Sequence, residues 1–171
     1  DHDELFYLMM YNEALPMPCR PELPDLEEGV IRGGYCLESA VGEGPRINLL
    51  GSGTILFEVI EAASRLRQEG FAVAVYSITS YIELARDAER ASYSNGTSWL
   101  SHLFSEPSVP TIAASDYVRT LPRMIASWVS GPMVALGTDG FGMSERREAL
   151  RAHFRIDAQA IAEAARSLVN A

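Results

Sequence analysis

Residues 47–78 read Ile47-Asn-Leu-Leu-Gly-Ser-Gly-Thr54, Ile55-Leu-Phe-Glu-Val-Ile-Glu-Ala-Ala-Ser-Arg-Leu-Arg-Gln68, Glu69-Gly70 and Phe71-Ala-Val-Ala-Val-Tyr-Ser-Ile78. The first segment predicts a short buried strand over Ile47–Leu50 and a turn over Gly51, Ser52, Gly53 and Thr54. Apolar residues then recur at helical spacing, with Ile55, Val59, Ala62, Ala63 and Leu66 on one side of a helix over Ile55–Gln68. Gly70 closes that helix, and Phe71–Ile78 is continuous enough in Val and Ala to form a strand covered on both faces. A strand, a crossover helix and a second buried strand form the unit from which parallel sheets are built.

Working outward, the pattern continues. Ser80 opens a helix to about Arg90, and a polar stretch, Ser92 to Ser98, precedes a short helix around Trp99–Phe104. Thr111–Ala114 is a third strand, and Asp116 is a candidate cap for a helix over Tyr117–Val129, in which Pro122 is tolerated only near the first turn. Met133–Leu136 is a fourth strand, followed by a glycine-rich loop and helices over Ser144–Phe154 and Asp157–Val169. Upstream, Val30–Leu37 roughly alternates apolar and polar and predicts a strand, with Gly42–Pro45 turning the chain into Ile47, which favours an antiparallel edge. Leu5–Tyr11 reads as one more strand, and Pro16, Pro18, Pro21 and Pro24 make Leu15–Glu28 an extended connector. The fold class is α/β: a mostly parallel sheet with one antiparallel edge strand and helices on both faces.

Composition narrows the chemistry. The 171 residues carry 14 basic groups, all of them Arg, against 23 acids, for a net charge of −9. Without Lys there is no Schiff-base aldolase, no pyridoxal enzyme and no P-loop. The acidic balance gives no footprint for nucleic acid. The nearest basic cluster, Arg146, Arg147, Arg151 and Arg155, lies among Glu145 and Glu148 and reads as a self-paired helix face. At 47% hydrophobic and 22% charged the composition is that of one globular domain, and a chain of this length buries roughly 70% of its unfolded surface. The longest apolar runs, such as Phe71–Tyr76, fall short of a membrane span. The start, Asp-His-Asp-Glu, is no secretory signal and reads as a cut end. Cys19 and Cys36 stand in unlike contexts and are expected to be free thiols in a reducing compartment.

Two glycine-rich segments are candidates for function. Gly51-Ser52-Gly53-Thr54 sits between a strand and a helix, where backbone N–H groups can hold a small anion. Leu56 stands where a dinucleotide fingerprint has its third glycine, and the next strand ends Ser77-Ile78-Thr79 without an acid for a ribose. The turn is therefore either architectural or a stand-alone small-anion site. In Gly137-Thr138-Asp139-Gly140-Phe141-Gly142, Asp139 and Thr138 can bond the local backbone. Phe141 is expected in the core there, and Ser144 as the cap of the following helix. His2, His102 and His153 show no metal-ligand spacing, and Ser52 is not in a hydrolase elbow.

Taken together, Phe6–Glu13, Glu27–Gly33, Leu49–Ile55, Val75–Asp87, Ala114–Val118 and Leu136–Phe154 resemble one family. It is the carboxy-terminal part of the homodimeric pyruvate dehydrogenase component of bacterial pyruvate dehydrogenase complexes, in the transketolase superfamily. The resemblance implies a three-layer α/β/α sandwich around a five-stranded mixed sheet. It also implies that residues 1–14 end a preceding pyrimidine-binding domain, that 15–28 connect, and that 29–171 form the carboxy-terminal domain. In that family thiamine diphosphate and magnesium are held by the upstream domains. Catalytic, cofactor and metal residues are accordingly expected outside this chain, and Gly51–Thr54 and Thr138–Gly142 are expected to be architectural. The implied partners are the chain's own upstream domains, a second identical subunit and the lipoyl acyltransferase component, in the cytoplasm, with no nucleic acid or membrane. Met143 stands where the family has Arg, and Ser92–Ser98 replaces its Trp-Asn and His-Pro region, so a relative acting on another 2-oxo acid, or a transketolase-like one, is the alternative.

Overall fold

The structure is a computed structural model and describes residue 5, residues 14–16 and residues 19–170. The strand expected over Leu5–Tyr11 lies outside the described residues, apart from an exposed Leu5.

The segment 46–78 forms as its periodicity predicts. Strand β2 (Arg46–Ser52) leads into helix α2 (Ile55–Gln68) and strand β3 (Ala72–Ile78), preceded by strand β1 (Gly34–Glu38). On α2 the buried residues are Ile55, Val59, Ala62, Ala63 and Leu66, and every residue of β3 is buried. Each fully buried Ile, Val or Leu in such a stripe contributes roughly 1.5–3 kcal/mol. Helix α3 (Tyr81–Ser94) is capped by Ser80, whose Oγ accepts the Glu83 N–H at 3.2 Å, and helix α4 (Trp99–Leu103) is capped by Ser98. Strands β4 (Thr111–Ala114) and β5 (Met133–Leu136) follow, and helices α6 (Arg147–Phe154) and α7 (Ala158–Val169) end the described chain, with Asp157 capping α7.

Among the described residues five strands form one sheet in the order β1-β3-β2-β4-β5. β2, β3, β4 and β5 are mutually parallel, and β1 runs antiparallel to β3, with Gly34 opposite Ile78. α2 and α7 pack on one face with Ile47, Leu49, Val73, Val75 and Ile112. α3, α4 and the segment around Ile125 pack on the other with Leu50, Tyr76, Ile78 and Ala113. The three-layer sandwich with a mixed five-stranded sheet and one antiparallel edge is the expected fold.

Several local expectations are corrected. Val30–Leu37 is not one strand: a helix, α1 (Leu26–Arg32), precedes β1 and begins inside the stretch expected to be extended. Its signals are local. Glu27 and Glu28 lie in the first turn, Arg32 pairs with Glu28 at 3.0 Å, and Gly33 ends the helix at φ +105°. β1 is indeed the antiparallel edge, but its neighbour is β3, because both edges of β2 are already taken by β3 and β4.

The helix expected over Tyr117–Val129 shrinks to α5 (Thr120–Arg123) and a 3₁₀ turn at Ala126–Trp128. Pro122 supplies no N–H and is confined to the first turn of α5, as its chemistry requires. Asp116 does not cap a helix. Its carbonyl accepts Thr138 Oγ1–H at 2.7 Å and the Tyr117 carbonyl accepts Thr138 N–H at 2.9 Å, which ties residues 116–117 to the loop after β5. Among the described residues no helix is long and apolar enough to cross a membrane. Cys19 and Cys36 are both free.

Candidate functional site

The connection from β2 leaves over one face through α2, and the connection from β4 leaves over the other through α5. Between these neighbouring strands the direction of winding reverses, and the crevice outside the carboxyl ends of such a strand pair is where open α/β sheets bind ligands. The glycine turn of β2 is at this crevice. Ser52 Oγ donates to Ser115 Oγ at 3.0 Å across the two strand ends, and Ser115 Oγ also accepts the Tyr117 N–H at 3.2 Å. Gly51 is still part of β2, and a side chain there would meet Leu56 Cα at 2.8 Å, so glycine is required for α2 to approach the strand. Gly53 and Thr54 make the turn itself.

Two hollows flank the turn. One of about 680 Å³ is lined by Ser52, Gly53, Tyr81, Asp116, Tyr117 and Leu121. The other, about 280 Å³, is lined by Thr54, Thr138, Phe141, Met143, Arg147 and Arg151. The buried hydroxyl of Tyr81 has its pKa pushed up by desolvation, so it is a neutral phenol at any physiological pH.

The second glycine segment is held as a latch. The Arg119 backbone N–H donates to Asp139 Oδ1 at 2.8 Å, and Arg119 Nε donates to Oδ2 at 2.6 Å. The backbone N–H first, and the guanidinium after it, hold the Asp139 carboxyl below its ordinary range. Phe141 does not reach the core: it is 97% exposed, beyond Gly140 at φ +95°. Gly142 is exposed as well. Ser144 is exposed and caps nothing, because α6 starts three residues later, after Arg146 in an extended conformation.

Nor is the arginine cluster self-paired along one helix. Arg151 reaches across to Glu58 of α2 at 2.8 Å and to Thr54 Oγ1 at 3.4 Å, and Arg155 reaches Glu163 of α7.

This arrangement can bond hydroxyls and backbone groups, as the Ser52–Ser115 and Ser115–Tyr117 bonds show. His102 is stacked on Trp99 at 4.7 Å and His153 lies edge-on to Phe154 at 4.9 Å, both in packing roles. Among the described residues no cluster of three His, Cys, Asp or Glu side chains can hold a metal ion. Asp139, the acid of the glycine loop, has both oxygens engaged by Arg119, so these residues do not fit a magnesium-bound diphosphate. Ser115, Glu58 and Arg119 are the members of this region that sequence reasoning missed, and Arg151 was read only as part of a self-paired helix face. Ser115 lies 63 positions from Ser52, and Glu58 lies 93 from Arg151, so no local pattern pairs them.

The latch gives a pH prediction. A carboxyl with a lowered folded pKa stabilises fully above its unfolded value, about 3.9 for Asp, and that contribution is lost as pH falls through the lowered value. Carboxyl NMR should find Asp139 titrating below the ordinary range. In Arg119→Gln it should rise only part of the way, since the backbone N–H remains. An ordinary Asp139 titration in the native protein would refute the latch.

Residues 33–157 match the family model of the transketolase-like TK C-terminal domain. The pyruvate dehydrogenase E1 component of Corynebacterium glutamicum is 37% identical over 93% of this chain, which covers 18% of that relative. That of Escherichia coli K12 is 38% identical over 94% of this chain and 19% of its own length. The chain therefore spans less than a fifth of the curated relatives it matches. Among solved structures, transketolase from Leishmania mexicana superposes with a TM-score of 0.60 at 23% identity, over 84% of this chain and 19% of that one. Transketolase from Campylobacter jejuni gives 0.59 at 18% identity, over 86% and 20%. These structures share the fold, and with the family match the conclusion is direct: the chain belongs to the transketolase-like C-terminal domain family.

Proposed function

We propose that the chain is the carboxy-terminal domain of a thiamine-diphosphate-dependent 2-oxo-acid dehydrogenase acting on pyruvate. The observation that carries this is the likeness to pyruvate dehydrogenase E1 components over nearly the whole chain, at a level well above that to the transketolases. The parent enzyme releases carbon dioxide from pyruvate and places the acetyl group on one sulfur of a lipoyl disulfide, whose other sulfur becomes a thiol. Thiamine diphosphate, bound by the upstream domains with magnesium, supplies the electron sink for decarboxylation.

On this reading residues 29–171 are the domain, residues 15–28 connect it to the preceding one, and residues 1–14 end that preceding domain. Its partners are the upstream domains, a second identical subunit and the lipoyl acyltransferase component, in the cytoplasm. The domain's own work is packing and dimerisation. The apolar side chains left exposed at Val30, Ile31, Val118, Phe141 and Met143 support that role. So does the engagement of Asp139 by Arg119, which leaves the glycine loop as architecture.

Two measurements test the proposal. The full polypeptide should turn over pyruvate with a lipoyl acceptor, and this chain alone should show neither turnover nor heat on titration with thiamine diphosphate. Micromolar thiamine diphosphate binding by the isolated chain would overturn the assignment.

A further inference from the structure

Helix α3 ends on a chemically reactive peptide. The sequence has one Asn-Gly step, Asn95-Gly96, and both residues are exposed. The main-chain nitrogen that follows an asparagine can attack its side-chain amide, and glycine has no Cβ to shield that nitrogen. Asn95 stands directly after the helix, left-handed at φ 51° and ψ 31°. Its own N–H donates to the Ala91 carbonyl, and the Gly96 N–H donates to the same oxygen at 2.9 Å. The attacking nitrogen is thereby held back in two ways. Its proton is bonded to Ala91 O, and closing a five-membered ring requires Asn95 to rotate away from its left-handed ψ, bringing Cβ beside the nitrogen. Both restraints are only as firm as the last turn of α3. From Glu89 to Ser94 no residue is buried, and the last turn has no basic side chain to complement the negative end of the helix dipole. A helix end with so little apolar anchorage opens locally, well before the sheet does.

We propose that Asn95 is a deamidation site of the folded protein, gated by opening of the last turn of α3. When the turn opens, the Gly96 nitrogen gives up its proton to hydroxide and bonds to Asn95 Cγ. The Cγ–Nδ2 bond breaks, and the amide nitrogen leaves as ammonia with a proton from water. The cyclic imide that remains takes up one water. Breaking its bond from the Gly96 nitrogen to Cγ gives aspartate in the ordinary main chain, and breaking the bond to the main-chain carbonyl gives a β-linked aspartate. One water is consumed and one ammonia released, with no change of oxidation state. Either product puts a negative charge at the carboxyl end of α3, where the dipole disfavours it. The β-linked form also adds a methylene to the main chain between α3 and α4, at the turn that leads to Trp99, whose N–H donates to Asp87 Oδ2 at 2.6 Å. The site is independent of the dehydrogenase assignment and stands or falls separately.

Peptide mapping by mass spectrometry, after incubation of the protein at neutral pH, should find aspartate and β-linked aspartate at position 95, with ammonia released in equal amount. The urea-unfolded chain should react about tenfold or more faster, since every nitrogen is then free of Ala91 O. Ala91→Gly, which weakens the last turn, should speed the folded protein about threefold and leave the unfolded rate unchanged. Glu58→Ala, which removes the Arg151 ion pair on the other face of the sheet, should leave the folded rate unchanged, because the gate is local. Gly96→Ala, whose Cβ would meet only the end of the Ser94 side chain at 3.1 Å, should slow the reaction in both states. Equal rates in the folded and unfolded protein would overturn the proposal. So would an acceleration by Glu58→Ala as large as that by Ala91→Gly, or the absence of any product at Asn95 in both the native protein and Ala91→Gly.

Discussion

Glu58→Ala lowers the free energy of unfolding by about 3 kcal/mol, the scale expected when one partner of a largely desolvated ion pair is removed. Glu58 and Arg151 are 18% and 17% exposed at their side chains and 2.8 Å apart. The other carboxylate oxygen, Oε2, accepts the Ala158 N–H at 2.9 Å, in the first turn of α7. One side chain on α2 thus neutralises a guanidinium from α6 and satisfies an orphan donor of α7, so alanine leaves the Arg151 charge with only its long contact to Thr54 Oγ1 and the Ala158 N–H without its acceptor. Urea denaturation should show the lowered midpoint. Glu58→Gln, which keeps an acceptor for Ala158 but loses the charge, should cost clearly less than alanine. Equal stability of wild type and Glu58→Ala would mean that the three helices are held by their apolar contacts alone.

The second large effect is at Gly33, where alanine should cost about 3 kcal/mol through left-handed strain and steric conflict together. At φ +105° the position is closed to most side chains, and an added Cβ would lie 2.5 Å from the Ser80 carbonyl oxygen and 2.9 Å from Leu84 Cγ. Neither neighbour is free to retreat. Gly33 O accepts the N–H groups of both Thr79 and Ser80 at 3.0 Å, so the start of α3 and the end of α1 are anchored on the same residue. Thermal unfolding of Gly33→Ala checks this, and a melting temperature within a degree of wild type would refute it.

The parts of this fold that were legible in sequence are those whose causes are local. The five apolar positions of α2, the cap Ser80 and the continuous apolar run of β3 each depend on neighbours within a turn or two. Where an apolar residue is not buried, the pattern misleads. Val30 and Ile31 are exposed on α1 and mimicked a strand, and Phe141 stands outside the core that its hydrophobicity suggested.

Other features were out of reach because their partners are remote. Which strand receives β1 depends on both edges of β2 being occupied. The meeting of Ser52 with Ser115, and of Asp139 with Arg119, depends on register between elements far apart in the chain. The glycine turn could be placed between a strand and a helix, but not its position beside the reversal of winding, which is what makes it the mouth of a crevice.

The antiparallel strand β1 has a consequence for assembly. β2 and β3 are joined by a single crossover helix, whereas β1 reaches β3 only after the chain has passed through β2 and α2. β1 thus takes the edge of β3 that the parallel pairing leaves open. Without it, β3 would present an open row of N–H and C=O groups along a strand made almost wholly of apolar residues, the kind of edge at which copies join one another. The edge strand is therefore a guard against aggregation as well as a member of the sheet.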